Sequence, residues 1–353
     1  MEYKVMRLTN VFLGVLAIIA LGAVMLVLKS VLLPFIFAVF LSYIFKPVVI
    51  FLKKRRVPMI IALLVVLLVI SGLFFGLGAI IYSSFESFVR EAPKYQNKLA
   101  LLLREGTLLL DDIAASVNVK PENVSLSDLV DVSSLTAVLT SGAGSFVSGL
   151  GNFFLIMLLM MFILAGSGVF VNKVRHAFPE EHAVRLASVI ESIDLRVRQY
   201  LIAKTLISLG TGALTTTILL IFGVDFALLW GFLTFLLNFI PNIGSFVAMV
   251  FPILISFLQF DTVSTPLVLL VLLALTQALM GNVIEPKLMG VSLDLSPLLV
   301  LAALVFWGWL WGLWGMILAV PMMSILKIVF ENIDSLRPVA VIMAGNPPGN
   351  AEE

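Results

Sequence analysis

Residues 59–82 read MIIALLVVLLVISGLFFGLGAIIY, a continuous apolar run without a charged side chain. An α-helix rises about 1.5 Å per residue, so a run of this length can cross the roughly 30 Å of hydrocarbon in a bilayer. Further runs along the chain meet the same test, and the six predicted transmembrane helices cover residues 9–28, 31–52, 58–83, 146–167, 200–223 and 266–285. The pattern predicts an all-α, polytopic integral membrane protein.

The composition of the whole chain agrees with this fold class. Of its 353 residues, 61% are hydrophobic and only 12% are charged, and the mean hydropathy is +1.15. Soluble domains are about 45–50% apolar and about 25% charged. The net charge of +1 argues against a nucleic-acid partner, because a phosphate-binding surface needs an excess of Lys and Arg. The chain has no cysteine, which excludes disulfides, thiol catalysis and Cys-ligated zinc.

The orientation in the membrane follows from basic residues in short loops, which stay in the cytoplasm. Residues 53–56, KKRR, join the second and third predicted helices and are therefore cytoplasmic. Both termini are then cytoplasmic, and residues 84–145 form an extracytoplasmic segment. The first run follows Lys4 and Arg7 and also resembles a signal peptide. It is longer than a signal h-region and a second run follows at once, which favours an uncleaved helix.

These assignments divide the chain into segments of different kinds. The predicted segments are three transmembrane helices in 1–83, an extracytoplasmic amphipathic helical segment in 84–145, a fourth transmembrane helix in 146–167, a cytoplasmic amphipathic helix in 168–199, a C-terminal transmembrane domain in 200–337 and a cytoplasmic tail in 338–353. Both amphipathic segments carry an apolar seam with alternating steps of three and four residues. The outer seam is Phe85, Phe88, Ala92, Tyr95, Leu99 and Leu102, and the inner seam is Ala183, Leu186, Ile190, Ile193, Val197 and Tyr200. Each seam either packs within its own protomer or contacts another subunit.

Two further apolar stretches are interrupted by Gly and Pro and are predicted to form broken hairpins, for about eight spans in all. The first, residues 226–259, is broken at Pro241-Asn242-Ile243-Gly244. Irregular backbone is tolerated at membrane depth only where protein or a water-filled cavity covers it, so such breaks point to a transport pathway. Asn238 lies four residues before Asn242, and the two amides are predicted to face the same side. The alternative is a simple tight turn at the cytoplasmic face, in which Asn is a turn former.

The second broken stretch covers residues 297–334 and is interrupted around Gly308, Gly312 and Gly315. It enters from the opposite side to the first, an arrangement found in secondary transporters with inverted repeats. Its four tryptophans are predicted to form an aromatic belt at the outer interface, which would mean that this hairpin crosses fully. They are Trp307, Trp309, Trp311 and Trp314.

The helix between the hairpins, residues 266–285, ends in polar residues. Asn282 and Glu285 are three apart and share a helix face, and Gln277 lies two turns before Glu285. A carboxylate near an intramembrane helix end is a functional candidate, so Glu285 is the predicted ion-coupling residue. The alternative is interfacial, because Pro286 ends the helix and Glu285 and Lys287 then lie among the headgroups.

Motifs for catalysis are absent from the sequence. It contains neither a G-x-x-x-x-G-K-[ST] phosphate loop nor an HExxH zinc motif, and His176 and His182 are interpreted as solvated loop residues. Asp225 and Asp261, which flank the first hairpin, are also interpreted as loop residues, and Lys204 is predicted to snorkel to the interface. We therefore expect no enzyme activity, no cofactor and no metal.

Several motifs in the C-terminal half carry a family resemblance. They are FPEE at 178–181, RQYL at 198–201, PNIG at 241–244, NVIEPKLMG at 282–290, LSP at 295–297 and GLWGMILAVP at 312–321. With these motifs the chain resembles the autoinducer-2 exporter family, also called the PerM-like permease family.

The resemblance implies a bacterial or archaeal inner-membrane protein that forms a homo-oligomer, a pentamer. It implies export of a small polar metabolite or signalling molecule, without an ATPase of its own, or monovalent cation/proton antiport. The resemblance assigns no catalytic residues to this chain, and the matching positions are expected to be pathway or structural residues. A non-transporting membrane scaffold that uses the two seams is the alternative outside transport. The predicted pathway residues are Asn238, Pro241, Asn242, Gly244, Gln277, Asn282 and Glu285.

Overall fold

The computed structural model describes residues 2–117, 151–166, 173–289 and 294–345. Helices account for almost all of these residues, and none of them lies in a strand. The all-α prediction is therefore confirmed. Part of the predicted extracytoplasmic segment, residues 118–145, and the end of the predicted tail, residues 346–353, lie outside the described residues.

The described residues form a series of helices. In chain order they are α1 (Glu2–Val27), α2 (Lys29–Lys54), α3 (Met59–Val117), α4 (Gly151–Gly166), α5 (Glu180–Ile221), α6 (Ala227–Leu237), α7 (Ile243–Gln259), α8 (Ser264–Ala278), α9 (Pro297–Trp311), α10 (Leu313–Glu331) and α11 (Arg337–Met343). A π-helical turn (Leu279–Ile284) and a short α-helix (Glu285–Met289) continue α8 directly. The third predicted transmembrane helix and the start of the predicted extracytoplasmic segment are thus one helix, α3. The predicted cytoplasmic amphipathic helix likewise continues into the fifth predicted span as α5.

Several helices are long and apolar enough to cross a membrane, which confirms the polytopic prediction. Five such segments occur in the described part of the chain: Lys29–Lys54, Met59–Glu91, His182–Ile221, Ser264–Leu288 and Leu313–Glu331. The first and fourth predicted spans appear as shorter apolar helices, Phe12–Val27 and Gly151–Gly166. The protein is a multi-pass membrane protein.

The chain folds into two compact units that interleave along the sequence. The first unit comprises Met1–Val69, Asn152–Thr205 and Pro286–Glu353, and the second comprises Ile70–Gly151 and Leu206–Glu285. Each unit contains one of the two broken hairpins.

The core of the first unit joins α2, the first half of α5 and α10. Its buried residues are Phe40, Val197, Tyr200, Leu201, Leu318 and Val320, and Ile193 packs against them. Three members of the inner seam therefore pack within their own protomer. Lys204, at 3% exposure, is buried in this unit, so the snorkelling prediction is wrong. The reason is that position 204 lies on the packed side of α5, between buried Ala203 and Ile207.

The hairpin of the first unit turns sharply between α9 and α10 at Gly312, whose φ of +67° is accessible to glycine without strain. A Cβ at Gly315 would overlap the carbonyl oxygen of Trp307, so the two arms approach closely at the turn. Trp307 and Trp311 are buried, at 3% and 1% exposure. The aromatic-belt prediction is wrong for these two residues, because positions four apart on α9 share its inward face.

The other two tryptophans of this hairpin, Trp309 and Trp314, are exposed, as a belt requires. The second arm, α10, is one of the segments long enough to cross a membrane.

The core of the second unit joins the part of α3 beyond residue 83, which we call the α3 extension, to the second half of α5, the first hairpin and α8. Its buried residues are Tyr95, Leu219, Val224, Ala227, Trp230, Ile255, Leu269 and Leu273. From the outer seam, Phe88 lies 5.3 Å from the ring of Phe226, and Tyr95 lies 6.3 Å from the same ring. These two residues of the outer seam therefore also pack within their own protomer.

Candidate functional site

All of the predicted pathway residues belong to the second unit, and four of them lie at the break in its hairpin. The first arm, α6, has 11 residues and spans about 16 Å, so it is much shorter than the hydrocarbon layer. The second arm, α7, has 17 residues and spans about 25 Å. Neither arm has the length of a full crossing, as the sequence predicts for this hairpin.

The turn between these arms is strained. The Ile243 N–H donates to the carbonyl oxygen of Pro241 at 2.6 Å, and Asn242 between them has φ +59° and ψ −56°. This geometry is close to that of a γ-turn with a positive central φ, a rare conformation. Asn tolerates a positive φ better than most residues, which explains its presence at this position. Gly244 follows in close contact with α6, where a Cβ would overlap the carbonyl oxygen of Leu237.

Asn238 is the centre of a buried polar group at this break. Its Nδ2 donates to the Ser208 hydroxyl at 3.0 Å, and the Ser245 hydroxyl donates to its Oδ1 at 3.4 Å. Asn238 is 6% exposed and Ser208 is fully buried. We call Asn238, Ser208 and Ser245 the amide cluster. It joins the end of α6 to α5 and to the first turn of α7.

The prediction that Asn238 and Asn242 face the same side is wrong. Asn238 is buried in the amide cluster, whereas Asn242 is exposed. The spacing of four places two residues on one face only where the helix continues, and α6 ends at Leu237. The γ-turn then points the second amide elsewhere.

Close packing of α5 against α6 positions the amide cluster. A Cβ at Gly231 would overlap the Thr216 hydroxyl, and one at Gly212 would lie 2.7 Å from the carbonyl oxygen of Gly231. Small residues allow helix backbones to approach in this way within membranes. The buried hydroxyls Ser208, Thr211 and Thr215 recur on α5 at steps of three and four, which places them on one face. Our sequence reasoning missed Ser208, although this spacing was a signal that could have identified it.

The end of α8 carries the other three predicted residues and departs from α-helical geometry. The Glu285 N–H donates to the carbonyl oxygen of Met280, which is the i→i−5 pattern of the π-helical turn. π-helical turns within α-helices are frequent at functional sites. Gln277 and Glu285 are half-buried, whereas Asn282 is exposed.

The π-helical turn also changes which residues share a face. In a regular α-helix, residues eight apart differ by about 80° around the axis. If the turn absorbs one residue, the difference between Gln277 and Glu285 falls to about 20°. On the other side of this turn, Met280 packs on Gly210 of α5, where a Cβ would lie 2.8 Å from the methionine methyl.

A second polar group lies at the other end of the first hairpin. The Tyr95 hydroxyl donates to the carboxylate of Asp225, and the Asp225 N–H donates to the side-chain oxygen of Gln259 at 2.9 Å. Burial, together with this hydrogen bond, raises the pKa of Tyr95. Asp225 is therefore more than a loop residue, since it ties the α3 extension to both arms of the hairpin.

An ion pair supports the same contact from the solvent side. Lys98 Nζ bonds to the carboxylate of Asp261 and holds the pKa of that carboxyl below its usual range. A lowered carboxyl pKa in the folded state means that the pair stabilises the fold above the ordinary carboxyl pKa and that this contribution is lost as the pH falls through the lowered value. Asp261 is itself exposed, so the contribution is small.

The described residues contain no group of three or more His, Asp or Glu side chains that could hold a metal ion. The polar groups described at the break and at the end of α8 are amides, hydroxyls and a single carboxylate. Such groups recognise solutes by hydrogen bonds or bind single ions and protons.

The comparison with known proteins places these features in a family. The sequence model of the AI-2E family transporter family matches residues 13–335, which is most of the chain. The AI-2 transport protein TqsA of Escherichia coli is 32% identical over 339 residues, covering 94% of this chain and 96% of that protein. The chain belongs to the AI-2E transporter family.

Further relatives agree with this assignment. A putative transport protein of Haemophilus influenzae is 30% identical over 96% of this chain and 97% of its own length. A putative transport protein of Borreliella burgdorferi is 28% identical over 97% of this chain and 92% of its own length. The predicted family resemblance is confirmed, and AI-2E membership favours transport over catalysis.

The AI-2E match includes every predicted pathway residue. The structure brings Asn238 and Gly244 together at the break, leaves Asn242 exposed on the γ-turn, and places Gln277, Asn282 and Glu285 around the π-helical turn. Their roles as pathway residues of this AI-2E transporter remain predictions.

Proposed function

We propose that this AI-2E family transporter exports a small polar metabolite or signalling molecule along a path that includes the amide cluster. The observation that carries the proposal is the buried hydrogen-bonded group of Asn238, Ser208 and Ser245 at the break of the first hairpin. Polar residues inside membrane segments are costly and mark substrate pathways.

The chemistry of the cluster suits an uncharged polar cargo. An Asn side chain offers two N–H donors and an oxygen with two acceptor sites. Within the described residues the Asn238 side chain donates one hydrogen bond and accepts one. Its second N–H and its second acceptor site are therefore available to a solute. The groups are neutral, so they favour hydroxyl and carbonyl groups over ions.

The relatives support the same class of cargo. The AI-2 transport protein of Escherichia coli is named for AI-2, and we extend that class of solute to this chain. The sequence has no ATP-binding loop motif, so movement is either facilitated or coupled to an ion gradient.

The test is efflux from ATP-free vesicles that contain the purified protein. Vesicles are loaded with AI-2, and the release is counted for the native chain and for Asn238→Ala and Ser208→Ala. We expect each variant to slow release at least about tenfold, because a pathway hydrogen bond that strengthens during passage is worth about 1.4 kcal/mol or more. Ser256→Ala is the matched control, because Ser256 is also buried but, among the described residues, its hydroxyl bonds only to the Ile253 carbonyl of its own helix.

Equal release from native, variant and protein-free vesicles would contradict the proposal. Thermal unfolding of each variant shows whether slower release comes from the loss of a pathway group or from an unstable fold. Asn238→Ala removes a buried hydrogen bond and is expected to lower the free energy of unfolding by about 1–3 kcal/mol.

The π-helical turn favours a second candidate, monovalent cation/proton antiport with Glu285 as the exchanging carboxylate. The supporting observation is that Glu285 directly follows this turn and is half-buried. The same vesicles are loaded with a pH-sensitive dye, and Na⁺ or K⁺ is added outside. Antiport predicts dye dequenching that is lost in Glu285→Gln, and unchanged exchange in that variant would remove Glu285 from the mechanism. Absence of both fluxes would favour a non-transporting scaffold.

We also propose that the protein is a homo-oligomer, a pentamer, in a bacterial or archaeal inner membrane with both termini in the cytoplasm. The family resemblance supports the assembly, and the KKRR loop at residues 53–56 supports the orientation. The mass of the detergent-solubilised complex measures the number of subunits, and a monomer would contradict the assembly.

A further inference from the structure

A cleft of about 360 Å³ opens in the first unit at the C-terminal end of α2, beside α5. It combines an apolar wall with two basic side chains, and the lining residues are Pro47, Ile50, Phe51, Lys54 and Arg198. The three apolar residues belong to α2, a helix long and apolar enough to cross the membrane. The two basic residues lie where that helix ends. None of the proposed pathway residues and no residue of either hairpin lines this cleft.

The charge around the cleft is positive. Arg198 bonds to Asp194 at 3.3 Å, and the same carboxylate pairs with Lys46. One carboxylate is thus shared by two cations, which leaves an excess of positive charge. Lys54 is exposed and forms no ion pair with any described residue. Next to it, the Arg55 guanidinium lies 4.6 Å from the ring centroid of Phe51, so a third cation adjoins the cleft.

This combination matches an amphiphilic anion. A phosphate group accepts hydrogen bonds from a guanidinium and an ammonium, and Arg retains further N–H donors after one bond to a carboxylate. An acyl chain can lie along Pro47, Ile50 and Phe51, which lead into the apolar part of α2. A free phosphate ion would use the cations and gain nothing from that wall. Basic sites at the ends of transmembrane helices attract anionic lipid headgroups.

We propose that this cleft binds the headgroup of an anionic phospholipid, with Lys54 and Arg198 on its phosphate. The lipid is then a site-bound ligand of the first unit at the end of α2. Because Lys54 belongs to α2 and Arg198 to α5, the bound phosphate links the end of α2 to α5.

The test counts lipids that remain bound to the purified protein. The protein in neutral detergent is mixed with phosphatidylglycerol or with phosphatidylcholine, and bound lipids are counted by native mass spectrometry. We expect phosphatidylglycerol to be retained in preference to phosphatidylcholine. Lys54→Gln should weaken this retention about fivefold, which corresponds to the roughly 1 kcal/mol that one basic side chain contributes at an anionic lipid surface.

Matched variants separate the cleft from general surface charge. Lys53→Gln removes the same charge from the adjacent residue, which does not line the cleft, and it should bind phosphatidylglycerol as the native chain does. Lys54→Arg keeps the charge and should retain phosphatidylglycerol as the native chain does. Both Lys53 and Lys54 are exposed, so none of these changes threatens the fold.

Three outcomes would overturn the proposal. Equal loss in Lys53→Gln and Lys54→Gln would mean general attraction without a site. Equal retention of the two lipids would mean that the net negative charge of the headgroup is not recognised, because both lipids carry a phosphate. Displacement of phosphatidylglycerol by millimolar inorganic phosphate would mean that the cleft is a site for free anions.

Discussion

Glycines at the two hairpin turns are required by contact with the preceding helix. Gly244 lies against the carbonyl oxygen of Leu237, and Gly315 lies against that of Trp307. In each hairpin the turn glycine therefore brings the second arm against the backbone of the first. At the first break this contact also holds Ser245 next to Asn238, because Ser245 directly follows Gly244.

Gly244→Ala is predicted to destabilise the protein by about 1–3 kcal/mol or more, because the added methyl must displace a backbone carbonyl. The measurement is thermal unfolding in detergent. Gly72→Ala is the control, since Gly72 lies on α3 with open space around it and alanine favours a helix. Gly72→Ala should leave the unfolding temperature unchanged or raise it slightly. Equal unfolding temperatures for the two variants would contradict the predicted overlap.

The position of the α3 extension depends on side-chain contacts with the first hairpin. Phe88 and Tyr95 pack on the first hairpin, and the Tyr95 hydroxyl bonds to Asp225 at the start of that hairpin. The seam pattern predicted an amphipathic helix and left its partner open, either the same protomer or another subunit. For these two residues the partner is the same protomer, whereas the side chains of Phe85, Ala92 and Leu102 lie outside the described set.

Tyr95→Phe is predicted to lower the free energy that holds the α3 extension against the first hairpin by about 1–3 kcal/mol. The substitution keeps the ring but removes the hydrogen bond to a carboxylate. Trypsin should then cleave faster after Lys94, Lys98 or Arg104, and cleavage rates measured on gels give the change. Tyr82→Phe is the control, because Tyr82 is an exposed residue of the same helix. An unchanged cleavage rate in Tyr95→Phe would show that the hydrogen bond does not hold the extension.

At the scale of the whole molecule, the two units draw on alternating parts of the chain. The first half of α5 belongs to one unit and the second half to the other, and α3 is divided in the same way. The candidate pathway lies in the second unit and the candidate lipid cleft in the first. The substitutions that test transport and those that test lipid binding therefore lie in different units.

Labelling of single cysteines is predicted to confirm the orientation of the whole chain, since the native sequence has no cysteine. Thr262→Cys, in the connection between α7 and α8, should react with a membrane-impermeant maleimide in intact cells. Arg56→Cys, in the KKRR loop, should react only after the membrane is permeabilised, because basic loops remain in the cytoplasm. Both side chains are exposed. The opposite pattern would reverse the orientation, and labelling of both from outside would contradict the positions of the helices.

The sequence by itself determined the membrane-spanning helices, the all-α class and the breaks in both hairpins. The reason is local: an apolar run satisfies its backbone hydrogen bonds as a helix in lipid, and a cluster of turn-forming residues such as PNIG ends it. A single proline does not suffice, since Pro34 and Pro47 lie inside α2. The family motifs were equally local, and they were sufficient for the assignment to the AI-2E transporters.

Only the tertiary structure decided which side chains meet. The partner of Asn238 is Ser208, 30 residues earlier, and the partner of Tyr95 is Asp225, 130 residues later. The burial of Lys204 and of Trp311 depends in the same way on neighbouring helices. Helix periodicity places residues on a face, but it does not say which helix will cover that face, because packing between helices decides this. The two amides of the first break were predicted to face the same side and do not, because α6 ends at Leu237 and the helical spacing no longer applies beyond it.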